Sequence, residues 1–335
     1  MMIDVFCHIL TPKFEQERNI RALGRFKTLR SSRYSAVIPT LSNLDVRFRI
    51  MDKYPDYVQV LTTAAPAIET ICKPDDAAEL ARIANDELAE MVRQYPDRFV
   101  AGIACVAMNN IDATLDEIDR AVKDLRLRGI QVHSDIAGKP LDSPEFMPVY
   151  EKMAAYNLPI LIHPVKEETV PDYPGEESSK YLVWNRLSWP HQTSVAMMRI
   201  CCSGILERYP DLKLVTHHAG GTVPYLWTRI RVLDDTNEML LGYRYEAHLT
   251  KKVDDYLRMF YNDTAVYGNA PSLMCAHAFC GADHLIFATD MPFGNQFGER
   301  LVRETIRSVN EMDISEVERK MIFEENARKL MRLPI

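Results

Sequence analysis

The chain has 335 residues, of which 47% are hydrophobic and 26% are charged, and its formal net charge at neutral pH is -7. These values are typical of an ordered globular protein with enough apolar material for a core, and they exclude intrinsic disorder. Acidic and basic residues are interspersed, which argues against a nucleic-acid or anionic-membrane surface and favours small molecules as partners.

Targeting signals and disulfides are not indicated by the sequence. No apolar run approaches the roughly 20 residues of a membrane span, and the chain starts directly in strand-like sequence without a basic leader. We therefore expect a cytoplasmic protein. The seven cysteines are odd in number, scattered and mostly embedded in apolar segments, which is the pattern of buried free thiols.

Short apolar runs alternate with amphipathic helical patterns along the whole chain. The predicted strands are 3–8, 57–63, 99–105, 129–133, 158–163, 212–218, 259–263 and 284–290. The predicted helices are 75–94, 111–126, 143–157, 191–209, 223–240, 269–280, 298–311 and 314–331. Eight alternations predict the α/β class, a (β/α)8 TIM barrel made by residues 1–335 as one domain. A doubly wound open sheet is the alternative, which the lack of a Gly-rich turn after the first strand disfavours.

Two intervals are too long for ordinary connections. Residues 11–50 follow the first strand and are rich in Arg and Lys, and residues 164–190 follow the fifth strand. Both leave the carboxyl end of a strand, where a barrel builds its active site. We therefore predict that they are substrate-pocket insertions.

Four of the predicted strands end in a residue that can bind a metal or carry a proton: His8, His163, the pair His217 and His218, and Asp290. Each residue alone could simply hydrogen-bond a loop or cap a helix. Together they predict several imidazoles and a carboxylate at one rim, which is a ligand set for zinc or a similar divalent ion.

Longer motifs recur in order along the chain: IDVFCHIL, DVRFRIMDKYPDYVQVLTT, YPDRFVAGIAC, GIQVH, PVYEKMAAYNLPILIHP, WPHQTSVAMMRICCSGILERYPDLKLVTHHAGGTVPYLWTRI, FYNDTA and HLIFATDMPFG. In order, spacing and local context they resemble the amidohydrolase superfamily. The similar branch contains aminocarboxymuconate semialdehyde decarboxylase and the related non-oxidative aromatic-acid decarboxylases. The resemblance covers almost the whole chain.

The resemblance implies a metal site and a catalytic pair. His8 matches the second histidine of the family's first-strand His-x-His, His163 the fifth-strand ligand, and Asp290 the eighth-strand ligand that can also accept a proton. His218 matches the acid/base that also stabilises an oxyanion. We expect His217 to face away, because neighbours on a strand face opposite sides, and to be mostly structural. The implied cofactor is a divalent metal, zinc first, with manganese as the other candidate.

Substrate contacts are implied as well. Arg229 matches an arginine that family members offer to the substrate carboxylate of the neighbouring subunit, which implies a homodimer. A salt bridge on the helix surface is the alternative for Arg229, and a hydrogen bond to a loop carbonyl is the alternative for His133. The expected substrate-binding residues are Arg229, Phe6, His133, Trp189, His191 and, as a looser match, Arg33.

Phe6 marks the departure from the family pattern. It stands where the family has its other first-strand ligand, and a phenyl ring has no lone pair to give. Cys7 could bind metal, but strand alternation turns it away from the site. His8, His163 and Asp290 still match the three protein ligands of many catalytic zinc sites, so we expect weakened metal binding to survive.

The resemblance therefore implies a metal-dependent lyase that decarboxylates a small aromatic or muconate-type carboxylic acid without an organic cofactor. Hydrolysis or hydration of a ring-cleavage product or a related small carboxylate by the same site remains an alternative. A metal-free pseudoenzyme or binding protein is the alternative from another class, and Phe6 is its support. The retention of His8, His163, His218 and Asp290 together argues against that alternative.

Overall fold

Eight parallel strands form a barrel in the computed structural model of the chain, which describes residues 1–24, 26, 29–243 and 248–335. Each strand pairs with its neighbours in chain order. The predicted TIM barrel is confirmed. The strands are β1 (Met2–Ile9), β2 (Tyr57–Thr63), β3 (Phe99–Gly102, continued by Ala104–Cys105), β4 (Ile130–His133), β5 (Ile160–His163), β6 (Leu214–Thr216), β7 (Tyr261–Asp263) and β8 (Leu285–Ile286).

Helices follow the strands and surround the barrel. None of the helices in the described part of the chain is long and apolar enough to cross a bilayer. The α-helices are α1 (Pro12–Arg21), α2 (Tyr34–Val37), α3 (Leu44–Met51), α4 (Ile68–Ile71), α5 (Pro74–Gln94), α6 (Ile111–Lys123), α7 (Met147–Tyr156), α8 (Trp189–Cys202), α9 (Ile205–Arg208), α10 (Val223–Leu241), α11 (Val253–Leu257), α12 (Ala270–Cys280), α13 (Glu299–Asn310), α14 (Glu316–Lys320) and α15 (Asn326–Met331).

The helix α5 shows how the sequence sets these elements. It begins at Pro74, whose missing N–H has no partner to lose in the first turn, and acidic Asp75 and Asp76 follow at the positive end of the helix dipole. Leu80, Ala84 and Leu88 recur at helical spacing and are buried. The helix predicted at 75–94 is confirmed.

Strand alternation aims side chains at the barrel interior. Leu161 belongs to an apolar cluster with Val5 of β1, Val60 of β2 and Val215 of β6. Because residues two apart on a strand face the same side, His163 shares the inner face with Leu161 and lies at its carboxyl end.

The strand β6 ends earlier than predicted. The apolar run suggested a strand to residue 218, but the regular part is Leu214–Thr216. The chain then enters the left-handed region, with a φ of 61° at His218 and 53° at Ala219. A Cβ on Gly220, which follows with a φ of 76°, would lie 2.5 Å from Asn262 Oδ1, so the turn requires glycine there.

A buried carboxylate ties the first strand to the last. Backbone hydrogen bonds already join β1 to the chain after β8, since the His8 N–H donates to the Met291 carbonyl at 2.7 Å. Below this bond the Asp4 carboxylate accepts from the Thr289 N–H at 3.0 Å and from the hydroxyls of Thr289 and Tyr57. Burial raises the pKa of Asp4 despite these hydrogen bonds.

The substitution Asp4→Asn is expected to lower the free energy of unfolding by about 1–3 kcal/mol, because the new amide donor faces groups that already donate. Urea unfolding of both proteins at the same pH measures the difference. Asp97→Asn, at an exposed position, is the matched control and should change stability by less than about 0.5 kcal/mol. Equal losses in the two variants would show that Asp4 does not hold the barrel closed.

Candidate active site

Five ionisable side chains converge at the carboxyl rim of the barrel. His8 and His163 come from the ends of β1 and β5, and Asp290 follows β8. His217 and His218 follow β6 directly. All five side chains are buried, with between 0% and 8% of each residue exposed. The sequence predicted that His8, His163, His218 and Asp290 would meet here, and the structure adds His217 to them.

The distances between these groups suit a single cation. Nε2 of His8 lies 3.1 Å from Oδ1 of Asp290, and Nε2 of His217 lies 3.4 Å from the same oxygen. The ligand atoms of His8, His163 and His217 lie within 4.8 Å of one another, and so do those of His217, His218 and Asp290. Atoms about 2 Å from a shared ion would be spaced in this way.

The rings of His8 and His163 are held by their outer nitrogens. Nδ1 of His163 lies 2.7 Å from the Pro164 carbonyl oxygen, and Nδ1 of His8 lies 3.3 Å from the Thr63 carbonyl oxygen. Because a carbonyl only accepts, Nδ1 of His163 carries the proton and its Nε2 keeps its lone pair. Nδ1 of His8 also lies 3.1 Å from the hydroxyl of Thr62, which fixes the same ring. This is the arrangement that orients histidine ligands in metal proteins.

The paired histidines after β6 are held in the same way by different partners. Nδ1 of His218 lies 3.1 Å from the Ala265 carbonyl oxygen. Nδ1 of His217 contacts the carboxylate of Asp263, whose other oxygen accepts from the N–H groups of Ala219 and Ala265 at 3.0 Å each. Both rings therefore have fixed orientations.

Two inward nitrogens face Asp290 without forming a hydrogen bond of ordinary geometry. Nε2 of His8 and Nε2 of His217 are buried and make no hydrogen bond within the described part of the chain. A buried polar atom left in this state costs about 1–3 kcal/mol, which a bound cation would offset. Imidazole nitrogens and a carboxylate oxygen are ligands of zinc and manganese, so the residues present fit a divalent metal.

The pKa values of the two neighbouring histidines are shifted in opposite directions. Burial alone would lower the pKa of His217, but the carboxylates of Asp263 and Asp290 outweigh it and raise that pKa to about 10. Burial, together with the adjacent His217, lowers the pKa of His218 to about 4. Burial opposes ionisation of Asp290, yet His217 and His8 hold its pKa well below the ordinary value. At neutral pH, His218 is uncharged and Asp290 is a carboxylate.

The expectation that His217 faces away from the site is wrong. Its ring stacks on that of His218 with centroids 3.9 Å apart, and both reach the rim. Alternation of faces holds only within a regular strand, and β6 ends at Thr216, before the left-handed turn at His218. The sequence pattern could not show where the strand stops.

Phe6 lies beneath the imidazoles. Its ring is fully buried and stacks on His217 with centroids 4.2 Å apart and planes inclined by 24°. The centroids of His8 and His163 are 6.1 Å and 6.5 Å away. Among the described residues, Phe6 is not part of the wall of the cavity over the rim, so the structure does not bring it to the expected substrate-binding position.

A cavity of about 470 Å³ opens over His163 and Asp290. Aromatic rings form much of its wall. Tyr34 comes from the 11–50 insertion, and Trp184 and Trp189 lie within the 164–190 insertion. Phe293 completes this wall, with its ring centroid 5.4 Å from that of His8. The shape and composition suit a flat, apolar ring with polar substituents.

Tyr267 stands between this cavity and His218. Its hydroxyl donates to Oδ2 of Asp290 at 2.8 Å, and its ring centroid is 5.8 Å from that of His218. His218 lines a neighbouring cavity of about 840 Å³, and Tyr267 lines both cavities. Tyr267 therefore borders both cavities and contacts both Asp290 and His218.

The other predicted substrate contacts are dispersed. Trp189 lines the main cavity. His133 is buried and pairs with Oε1 of Glu69 at 3.3 Å, so the alternative of a loop carbonyl as its partner is not observed. It lines a small adjoining cavity that Trp189 shares. Three residues are exposed and do not line the main cavity in the described part of the chain: Arg33, His191 and Arg229.

Three residues of the site escaped sequence reasoning. Asp263 ends β7 within FYND, so the strand-end rule that singled out His163 could have found it. Tyr267 lies in a loop, and Arg300 lies on α13 and lines the main cavity. Neither position carries a sequence signal, because only the tertiary packing brings these side chains over the rim.

Comparison with known protein families gives one matching model, described as Amidohydrolase, over residues 40–333. A gamma-resorcylate decarboxylase of Polaromonas sp. (strain JS666) is 30% identical over 295 residues, which cover 86% of this chain and 87% of that protein. A 2-amino-3-carboxymuconate-6-semialdehyde decarboxylase of Dictyostelium discoideum is 28% identical over 297 residues, covering 86% of this chain and 76% of that protein.

A solved structure shares the whole architecture. It is a dihydroxybenzoic acid decarboxylase from Polaromonas sp. JS666 with bound manganese and the inhibitor 2-nitroresorcinol. It superposes with a TM-score of 0.81 at 26% identity and covers 99% of this chain and 96% of that one.

The stability of the metal-free protein is expected to depend on the proton of His217. Its pKa is about 10 in the folded chain, against an ordinary value of 6.5, so the stabilisation is full below pH 6.5 and is lost as the pH rises toward 10. Asp263→Asn removes the main cause of the shift. The stability difference between wild type and Asp263→Asn should therefore shrink by up to about 1.4 kcal/mol per pH unit above about pH 7.

Urea unfolding of chelator-treated protein at about pH 7, 8 and 9 measures this difference. The comparison cancels the titration of thiols and tyrosines, which both proteins share. A difference that stays constant across this range would contradict the assignment of a proton to His217.

Proposed function

Because the chain belongs to the amidohydrolase family, we propose that it is a divalent-metal-dependent lyase that decarboxylates a small planar carboxylic acid of the aromatic or muconate type. The observation that carries the proposal is the rim beneath an aromatic-walled cavity, where the ligand atoms of His8 and His163 lie within 4.8 Å of each other and Nε2 of His8 lies 3.1 Å from Asp290. The decarboxylases found among its relatives support the reaction type.

His8, His163 and Asp290 would hold the ion. When bound, a divalent ion supplies Lewis acidity to a substrate oxygen. Zinc suits the imidazole-rich donor set, and manganese is supported by the similar structure that contains it. Phe6 supplies no ligand, so we expect weaker metal binding than in a site whose first strand supplies two ligands.

The cavity wall binds and orients the substrate. Trp189 and Phe293 present ring faces and edges to a planar molecule, and such contacts contribute about 0.5–1.5 kcal/mol each beyond burial. Arg300 lines the same cavity. Its planar guanidinium can take a carboxylate in a bidentate fashion.

His218 manages the proton. Decarboxylation leaves the electron pair of the broken carbon–carbon bond on the ring or chain carbon, and a proton must take it up as carbon dioxide departs. His218 is neutral at physiological pH, and its Nδ1 is held by the Ala265 carbonyl, so Nε2 can accept a proton and return it. Asp290, kept as a carboxylate, is the second acceptor.

The position of Arg229 bears on how the chain assembles. Arg229 is exposed on α10 and lies outside its own cavity, as an arginine offered to a neighbouring subunit would. We therefore propose a homodimer. We also propose a cytoplasmic location, in keeping with the acidic charge balance and the free thiols.

The function is tested with a panel of hydroxybenzoates and carboxymuconate semialdehydes supplied with Mn²⁺ or Zn²⁺. We expect carbon dioxide release from at least one compound, its loss after chelation, and recovery on adding the metal. His218→Ala should reduce the rate by about 100-fold or more while metal content stays unchanged. A hydrated or hydrolysed product without carbon dioxide would instead identify the alternative chemistry, and binding without turnover would identify a binding protein.

Arg300 is expected to contribute to substrate binding. Arg300→Ala should raise KM by about 10-fold or more for the carboxylate identified in the panel, because a charge-assisted hydrogen bond is worth about 1.5–3 kcal/mol. Arg303→Ala is the matched control, since Arg303 lies on the same helix and pairs with Glu299 outside the cavity. Equal KM values in the two variants would exclude Arg300 as a substrate contact.

A further inference from the structure

We propose that His217 is a metal ligand of this chain and takes the place that a ligand at position 6 would otherwise fill. The site would then have three imidazoles and one carboxylate, from His8, His163, His217 and Asp290. The inference rests on the proposed metal dependence and adds a ligand that the sequence pattern had placed outside the site.

The position of Phe6 is the first observation. Its ring lies among the imidazoles of His8, His163 and His217 and stacks on the last of these at 4.2 Å. A phenyl ring cannot donate an electron pair to an ion. It can form an apolar floor that limits the motion of His217 and keeps water from its face. The first strand therefore supplies one ligand, His8, and a support for another.

The unsatisfied nitrogen of His217 is the second observation. The residue is fully buried, and its Nε2 forms no hydrogen bond of ordinary geometry with any described residue. It lies 3.4 Å from Oδ1 of Asp290, the oxygen that also faces Nε2 of His8 at 3.1 Å. Two imidazole nitrogens turned toward one carboxylate oxygen leave a common point for a cation.

The contact between Asp263 and His217 is the third observation. Asp263 holds Nδ1 of His217, and its second oxygen is fixed by the N–H groups of Ala219 and Ala265. A carboxylate behind a histidine fixes the ring and increases its basicity toward a metal. His218, by contrast, is held by the Ala265 carbonyl. The geometry therefore divides the work between neighbours: His217 serves the metal and His218 remains available for the proton.

Metal binding measured without reference to activity tests this division. Chelator-treated protein is titrated with Mn²⁺ by calorimetry, and metal content is measured after gel filtration. Wild type should bind one ion per chain. His217→Ala should bind at least about 100-fold more weakly, and Asp263→Asn about 10- to 100-fold more weakly. His218→Ala, the matched neighbour, should bind as wild type does.

The double variant Phe6→His with His217→Ala provides the decisive comparison. It restores a donor on the first strand after removing the one on the sixth, so Mn²⁺ affinity should recover to within about 10-fold of wild type. Recovery would also show that the loss in His217→Ala is not a folding defect. His217→Ala with wild-type affinity would overturn the inference.

A spectroscopic measurement on the unaltered chain avoids any folding question. X-ray absorption of the zinc-loaded protein counts imidazole ligands through their outer-shell scattering. Three imidazoles are expected, and two would overturn the inference while leaving the proposed metal dependence intact. Failure of wild type to bind Mn²⁺ or Zn²⁺ at all would instead reject the metal dependence, and the ligand assignment with it.

Discussion

The contact between His8 and Asp290 is the interaction on which the site depends. These residues are far apart in sequence and lie 3.1 Å apart because the barrel closes between β1 and β8. The His8 N–H bonds the Met291 carbonyl, and Asp4 binds Thr289 below it. Stability and the proposed chemistry are therefore coupled here, since any loosening of that closure would separate the two proposed ligands.

The protonation of the histidines at the rim depends on the carboxylates of Asp263 and Asp290. Several buried imidazoles cannot all be protonated together, and their pKa shifts show which of them carries an extra proton. His217 keeps a proton through Asp263, while burial keeps His163 and His218 neutral. A cation at the same place would take over the role of that proton, which explains why a buried cluster of this kind is compatible with a stable fold.

The aromatic residues of the cavity wall determine which substrates the site can accept. Trp184 and Trp189 pack edge to face with centroids 5.4 Å apart, and Trp189 reaches within 5.4 Å of the centroid of His163. The wall of the cavity is therefore built directly onto a proposed metal ligand. A flat substrate lying against these rings would have its substituents close to His163 and Asp290.

Much of the fold and part of the site could be predicted from the sequence. Strand and helix periodicity gave the barrel, and strand ends gave His8, His163 and Asp290, because parallel strands expose their carboxyl ends at one rim. His217 was misplaced because alternation was extended past Thr216, where a left-handed turn ends the strand. Tyr267 and Arg300 depend on loop and helix packing that no local pattern records.

The most direct measurement is anomalous diffraction from crystals soaked in Mn²⁺. One strong peak between the side chains of His8, His163 and Asp290, beneath the ring of Trp189, is the predicted result. Well-ordered crystals with no peak at that rim, or with a peak only elsewhere on the surface, would contradict a metal-dependent active site in this chain.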